Sequence, residues 1–477
     1  MLTMHGAGKN VRHPTTIDML PDNVLLETFD FCKEHHDHRM LVWEEWQILA
    51  HVCQRWRRII FASPNRLGLQ ILCADRTPVS KNLYIWPAFP IVIDYRGDDH
   101  SSKGQDIVTT ALWDPDRVID IRLDVMGSQL RKIFPMLREQ FPVLSNLKII
   151  SKDTNAPALP AEFLGRSAPR LQSLYLRRIS FPTLPTLLLS TNDLSRIHLH
   201  KIPTTSYISP EAMVTCLVAL PRLHQLTIGF QSWFIFFPDR IGPPPVTRTV
   251  LHALTWFEFQ GASEYLEDLA ARIDCPQLDQ INIEYMNQAG DFQVAELSTF
   301  IDRSSVGSKL TLCKHAQVTF SRNEVSFTMF PFRESGPAII TIKCAGIDWQ
   351  VSHLSQVLGH FSALSNVVHL KLYTWPDDSR FENTWETPWL HLLRLFSAAQ
   401  TLYVSSKLAG RVALALEDIA PEMVAEVLPS LGFIYLVRKP AFHIEKFAAA
   451  RRLSGHPVTV VTNETEYYRR FKSYVSK

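Results

Sequence analysis

No C-x-x-C pair occurs in this 477-residue chain, and its seven cysteines, at 32, 53, 73, 216, 275, 313 and 344, are odd in number and widely scattered. That spacing writes neither a disulfide framework nor a zinc ribbon, and it points to a reducing compartment, the cytoplasm or the nucleus. Long apolar runs are also missing. No stretch of about 18 apolar residues appears, and the opening MLTMHGAGKNVRHPTT has no apolar h-region, so neither membrane spanning nor secretion is expected. GAGKN lacks the second glycine spacing and the strand–helix context of a phosphate-binding loop, and no G-x-S-x-G is present. An excess of one charge sign is absent too: 49 Lys and Arg stand against 47 Asp and Glu, a formal +2, so no global field favours nucleic acid.

What is present is a globular composition. With 46% hydrophobic and 20% charged residues there is ample material for a long core. Local clusters offer little chemistry. Glu34, His35, His36, Asp37 and His38 crowd together, but adjacent positions do not converge on one ion, so a solvated loop is the better reading. The basic end, residues 467–477, interleaves Tyr and Phe with Arg and Lys, yet a short basic terminus is more often solvated than bound. We expect no catalytic residue, no metal, no cofactor, no nucleic acid and no membrane partner.

Two stretches organise the chain. The first is Ile17 to Phe61. Pro21 sits where a helix should start, and Leu20, Val24, Leu25 and Phe29 follow at the spacing of one helical face. The period resumes with Trp46, Leu49, Val52, Cys53 and Trp56, and Arg55, Arg57 and Arg58 close that segment, where cations suit a helix C-terminus. Two short amphipathic helices cannot cover both apolar stripes against each other alone, so a docking face is expected.

The run LPDNVLLETF, followed after a gap by L-x-x-V-C-Q-R-W-R, resembles the F-box. Behind it, PNRLGLQILCADRTPV and WPAFPIVI resemble the segment that follows the F-box in fungal F-box domain-containing proteins. The resemblance implies a Skp-type adaptor as partner, through it a cullin and an SCF-type ubiquitin ligase, with this chain as the non-catalytic substrate-recognition subunit. It also implies an adaptor-binding set: Leu20, Pro21, Val24, Leu25, Phe29, Leu49, Val52, Cys53 and Trp56. The insert CKEHHDHRMLVWEEW departs from the usual pattern in being longer.

The second organising feature is a repeat. A Leu-x-x-Leu-x-Leu pattern, with aliphatic or aromatic substitutes, starts at 118, 144, 171, 194, 223, 254, 278, 307, 337, 367, 399 and 431, so successive copies lie 23 to 32 residues apart. One short strand per unit at that interval is the mark of leucine-rich repeats, each strand joining a parallel sheet and returning through a helix. Suitable helical returns include AMVTCLVALPR, SEYLEDLAARIDCPQ and VSHLSQVLGHFSAL. The usual Asn after Leu-x-Leu is missing; Met126, Ile179, Ile202 and Met286 stand there instead. Residues 307 to 345 alternate more like successive strands, so the repeat is expected to be irregular there.

The expected fold class is α/β: an N-terminal helical F-box plus an irregular leucine-rich-repeat solenoid of parallel strands with helical returns. The expected division is a flexible tail 1–16, the helical module 17–62, a connector with two short strands 63–110, the solenoid 111–440 and a C-terminal segment 441–477. The residue between the second and third Leu of each copy faces away from the core, because strand neighbours alternate. That gives a target-binding row: Lys148, Tyr175, His198, Thr227, Glu258, Asn282, Lys371, Tyr403 and Tyr435. The aromatic insert 231–246 and the loop 376–389 read either as contact patches or as packing segments. The competing reading of the whole is a leucine-rich-repeat interaction scaffold whose F-box-like hairpin only caps the solenoid.

Overall fold

The computed structural model describes residues 17–31, 45–74, 88–97, 102–154, 157–231, 247–286, 292, 294–330, 337–374, 389–417, 426–436 and 442–462. The tail 1–16, the His-rich stretch 34–38, the insert beyond Gln231 to 246, the loop 376–388, the basic end 467–477 and the side chain of Trp46 lie outside the described residues. The chain divides into two compact units, Met1–Ile121 and Arg122–Lys477, and the division falls inside one strand, β3 (Val118–Val125).

The first unit opens with α1 (Asp22–Phe31). Pro21 stands one position before it, and its carbonyl accepts the N–H groups of Val24 and Leu25 at 3.0 and 3.1 Å. The following apolar period does not run as one helix. It breaks into α2 (Glu45–Val52) and α3 (Gln54–Ala62) at Cys53, whose extended backbone (φ −156°, ψ 169°) makes it the N-cap of α3, its Sγ accepting the Trp56 N–H at 3.4 Å. Arg55, Arg57 and Arg58 therefore lie toward the N-terminal side of α3 and not at its C-terminus. Arg57 still meets a helix C-terminus: its Nε donates to the Ala50 carbonyl of α2 at 2.9 Å. A one-turn helix, α4 (Pro64–Leu67), follows. Two short parallel strands, β1 (Ile71–Ala74) and β2 (Ile91–Tyr95), occupy the connector as expected, and α5 (Ser102–Leu112) follows them.

In the second unit the Leu-x-Leu copies become strands: β4 (Asn146–Ser151), β5 (Ser173–Arg177), β6 (Arg196–Ile202), β7 (Gln225–Phe230), β9 (Trp256–Gly261) and β11 (Gln280–Met286). Between them β8 (Thr249–Val250) and β10 (Ile273–Asp274) form a separate small parallel pair. Next come β12 (His315–Phe320), β13 (Val325–Met329), β14 (Ala338–Lys343), β15 (His369–Thr374), β16 (Thr401–Val404), β17 (Phe433–Leu436) and β18 (Thr459–Val461). Their order across the sheet is β4-β5-β6-β7-β9-β11-β14-β13-β12-β15-β16-β17-β18.

Pairing is parallel except at β13, which runs antiparallel to both β12 and β14. The irregularity expected over 307–345 is thus a three-strand meander laid into the sheet in reverse order, β14 beside β11 and β12 beside β15. One expectation fails here. GSKLTL, read as a strand, is helical, because Ser304 caps a helix over Ser305–Leu312, its Oγ accepting the Gly307 N–H. The C-terminal stretch is also not set apart, since β18 extends the same sheet beside β17.

Helices return between the strands: α6 (Gly127–Ile133), α7 (Leu184–Leu189), α8 (Pro210–Val218), α9 (Ser263–Arg272), α10 (Ala295–Asp302), α11 (Ser305–Leu312), α12 (Ile347–Leu358), α13 (Trp389–Arg394), α14 (Ser406–Glu417) and α15 (Phe442–Leu453). The core lies between them and one sheet face. Phe257 of β9 meets Phe300 of α10 edge-on at 6.2 Å, and Phe320 of β12 meets the buried Trp389 of α13 at 5.3 Å.

Polar ties fix neighbouring units. The buried Glu267 of α9 accepts the Glu296 and Leu297 N–H groups at the start of α10, at 2.8 and 2.9 Å. The Gln350 amide of α12 donates to the carbonyls of Ser321 and Cys344, tying the β12–β13 turn to the residue that follows β14. Arg451 of α15, fully buried, donates to the carbonyls of Val427, Leu428, Pro429 and Leu431.

Candidate functional site

Two surfaces answer to the sequence expectations, one in each unit. In the first, Leu25 and Phe29 are buried in the module's own core, Phe29 packing on Trp56 with ring centroids 4.8 Å apart. Leu20, Leu49, Cys53 and Trp56 are half-buried, and Pro21, Val24 and Val52 are exposed. The nine residues are therefore of two kinds, some holding the module together and some facing outward. Arg55 fixes the arrangement by binding the Asp22 carboxylate and the Leu20 carbonyl, at 2.6 Å each.

The outward set also holds residues that the sequence reading missed. Of the fifteen large apolar side chains exposed among the described residues, six lie between Ile17 and Val52: Ile17, Met19, Val24, Phe31, Ile48 and Val52. Phe31 is 67% exposed and Ile48 65%, although both sit within helices. Isolated exposed apolar residues are ordinary, but this density on the 23 described residues of that span, 17–31 and 45–52, is not.

In the second unit, register places all nine row residues on one line across the sheet. Lys148 pairs with Tyr175, Tyr175 with His198, His198 with Thr227, Thr227 with Glu258 and Glu258 with Asn282. The line then crosses the meander through Ile339, Thr328 and Gln317, which the repeat pattern did not reveal, and continues to Lys371, Tyr403, Tyr435 and Val461. It lies on the face turned away from the helices, since the intervening side chains are the buried ones.

The row is not uniformly open. Thr227, Lys371, Tyr403 and Tyr435 are buried, contrary to the expectation of a solvent-facing row. Tyr403 and Tyr435 stack at 4.9 Å, with Val461 packed against them, and so form a small core of their own. Lys371 Nζ lies 6.0 Å from the Tyr403 ring centroid, and burial pushes its amine down to about 8. Lys148, Tyr175, His198, Glu258 and Asn282 remain accessible in whole or part.

The accessible half carries a hydrogen-bond chain. Thr227 Oγ1 donates to Glu258 Oε2 at 3.3 Å and so accepts from His198 Nδ1 at 3.0 Å, which places the histidine proton on Nδ1. Burial, and then the positive charge of Arg196 and His224, holds His198 below the ordinary histidine range. Burial raises the Glu258 carboxyl, the Thr227 bond opposes this, and the nearby Glu284 adds to the rise. Two residues further along the strands stand Arg177, His200, Gln260 and Glu284, with Glu284 ion-paired to Lys343 at 2.6 Å. Extending each hexapeptide by one residue would have found Arg177 and His200.

No family model matches the chain, and no curated protein matches it. The geometry itself defines the class: a mixed α/β protein with a long, mostly parallel sheet and a short helical module. Among the described residues no helix is long and apolar enough to cross a membrane, and no group of three or more His, Cys, Asp or Glu could hold a metal ion.

Proposed function

We propose that the protein is a substrate-recognition subunit of an SCF-type ubiquitin ligase. Its helices over 17–62 dock as an F-box on a Skp-type adaptor and so reach a cullin, and its leucine-rich repeats hold a target protein. The observation that carries this reading is the concentration of exposed apolar side chains on the helical module, whose own core is already filled by Leu25 and Phe29. The chain then performs no bond chemistry of its own; it raises the effective concentration of target lysines near the ubiquitin-charged enzyme.

Co-precipitation of the adaptor with wild type and with Ile48→Ser/Val52→Ser tests it. The double variant changes only exposed side chains, so it should fold as wild type while losing adaptor; equal recovery, or none from either, overturns the reading. The second reading, a repeat scaffold whose helices only cap it, draws on the packing of Phe61 in α3 against Phe89 before β2, at 5.5 Å. Deleting residues 1–62 separates the two. A cap predicts an insoluble or melted remainder, and a docking module predicts a folded remainder without adaptor.

A further inference from the structure

Charge on the polar face of the second unit is uneven. Lys148, Arg177 and Arg196 lie on that face of β4 to β6. Arg178 and Lys201 stand where β5 ends and β6 nears its end. Among the described residues none of Lys148, Arg177, Arg196 and Lys201 forms an ion pair with a carboxylate. The Lys148 ammonium instead sits 5.0 Å from the Tyr175 ring centroid.

Between the cations lie three rings. Tyr175 is 5.1 Å from His200 and 5.9 Å from His198, and the two imidazoles are parallel within 2° at 6.1 Å. Burial, and then neighbouring positive charge, keeps both histidines neutral at pH 7, His200 down to about 4. The patch thus has a floor of neutral rings and a fringe of unpaired cations. The carboxylates that Tyr175 feels are Glu258 and Asp124, on β9 and β3.

Backbone geometry supplies an independent observation. Arg178 (φ 54°) and Lys201 (φ 51°) both adopt the left-handed conformation that favours glycine, and the Arg178 N–H donates to the His200 carbonyl at 3.1 Å, joining the two turns. Two long cations are kept at adjacent strand ends where glycine would be less strained, and such outliers point to function. Burial, then Arg178, Arg177 and Lys343, lowers the Lys201 amine, against the pull of Glu284. Of the cations that crowd Lys201, Lys343 is ion-paired with Glu284, whereas Arg177 and Arg178 form no ion pair among the described residues.

The patch spans two inter-strand steps, about 10 Å. Beyond it the sign changes, because Glu258 and Glu284 follow on β9 and β11. A nucleic-acid strand, with a phosphate at every residue, would run onto those carboxylates, whereas one or two acidic side chains would not. We propose that this cationic, ring-floored patch binds an acidic segment of the target polypeptide, its carboxylate or phosphoryl oxygens paired with Arg177, Lys201 and Lys148, and its neighbouring side chains lying over Tyr175 and His200. The assignment rests on the reading of this unit as the target-holding surface. Arg177 contributes a planar fork suited to either oxyanion.

The test uses the full chain and four labelled degenerate octapeptide libraries with the central residue fixed as Glu, phosphoserine, Gln or Lys, together with a labelled random single-stranded oligonucleotide, read by fluorescence anisotropy. The Glu or the phosphoserine library should bind at least about fivefold tighter than the Gln library, the worth of roughly 1 kcal/mol. The tighter of the two identifies carboxylate or phosphate. Arg177→Gln/Lys201→Gln should abolish the preference, and Lys148→Gln/Arg196→Gln, at exposed positions, should reduce it should the first variant not fold. Absence of an anionic preference, its persistence in a folded Arg177→Gln/Lys201→Gln variant, or tighter binding of the oligonucleotide than of either acidic library overturns the proposal. Adaptor recovery from the same samples keeps the two readings apart: loss of the preference with adaptor bound removes this inference alone, and a preference without adaptor removes the docking reading alone.

Discussion

Between Ile17 and Val52 large apolar side chains stand exposed, whereas along the row from Lys148 to Asn282 the outward side chains are polar or aromatic and the aliphatic ones lie beneath them. The difference follows from how much each part can cover. A few short helices have too little partner surface for two apolar stripes, while a sheet layered by helices along its length buries one whole face. Where apolar surface is left over, a rigid apolar partner fits; where it is not, the exposed face is free to carry charge and hydrogen-bond chemistry.

The largest expected effect breaks the comparison within the helical module. Leu25→Ala removes a fully buried side chain and should cost about 3 kcal/mol, seen as faster hydrogen exchange in α1 and α3. Val52→Ser, at a position 56% exposed, should leave that exchange unchanged. The reverse pattern would mean that the outward residues hold the module together.

A smaller effect concerns the sheet. His200 and His315 are both held down to about 4 by burial first and by neighbouring positive groups second. A depressed folded value means that the unfolded chain binds the proton more tightly. Their contribution is therefore present above the ordinary value of 6.5 and is lost as pH falls toward about 4. Urea midpoints of wild type should fall across that window, by on the order of 1 kcal/mol per histidine after solvent screening. His200→Gln/His315→Gln should flatten the fall; an unchanged slope would show that other groups set it. The smallest effect is a gain. Lys201→Gly relieves a left-handed backbone and should stabilise the fold by up to about 1 kcal/mol in the same titration, even as it weakens any anion preference.

Much of the sheet was legible because strand alternation is a strong signal. Copies such as LQSLYL and LDQINI place their apolar residues two apart and became β5 and β11. GSKLTL misled because its two leucines are also two apart, yet on a helix that spacing separates faces: Leu310 is buried and Leu312 is 65% exposed. The true strand came next, HAQVTF, where Ala316, Val318 and Phe320 alternate without a leucine. In the helical module, periodicity located the helices but not the break at Cys53, which depends on a thiol accepting one N–H. The row was legible as a line of residues, since register follows from the repeat. Its burial was not, because the stacking of Tyr403 on Tyr435 joins positions that the sequence holds apart.

The reversed meander bears on how such a sheet can assemble. In a linear stack of strand–helix units each new strand finds its predecessor already in place, so order can spread along the chain by nearest neighbours. Here β12, the first strand made after β11, finds that edge destined for β14, and must wait until the hairpin has turned back to fill the gap. The sheet is therefore continuous past β11 only once β12, β13 and β14 are in place together, and this panel, in which Gln350 fastens the β12–β13 turn to the end of β14, is what joins the two flanks of the sheet into a single structure.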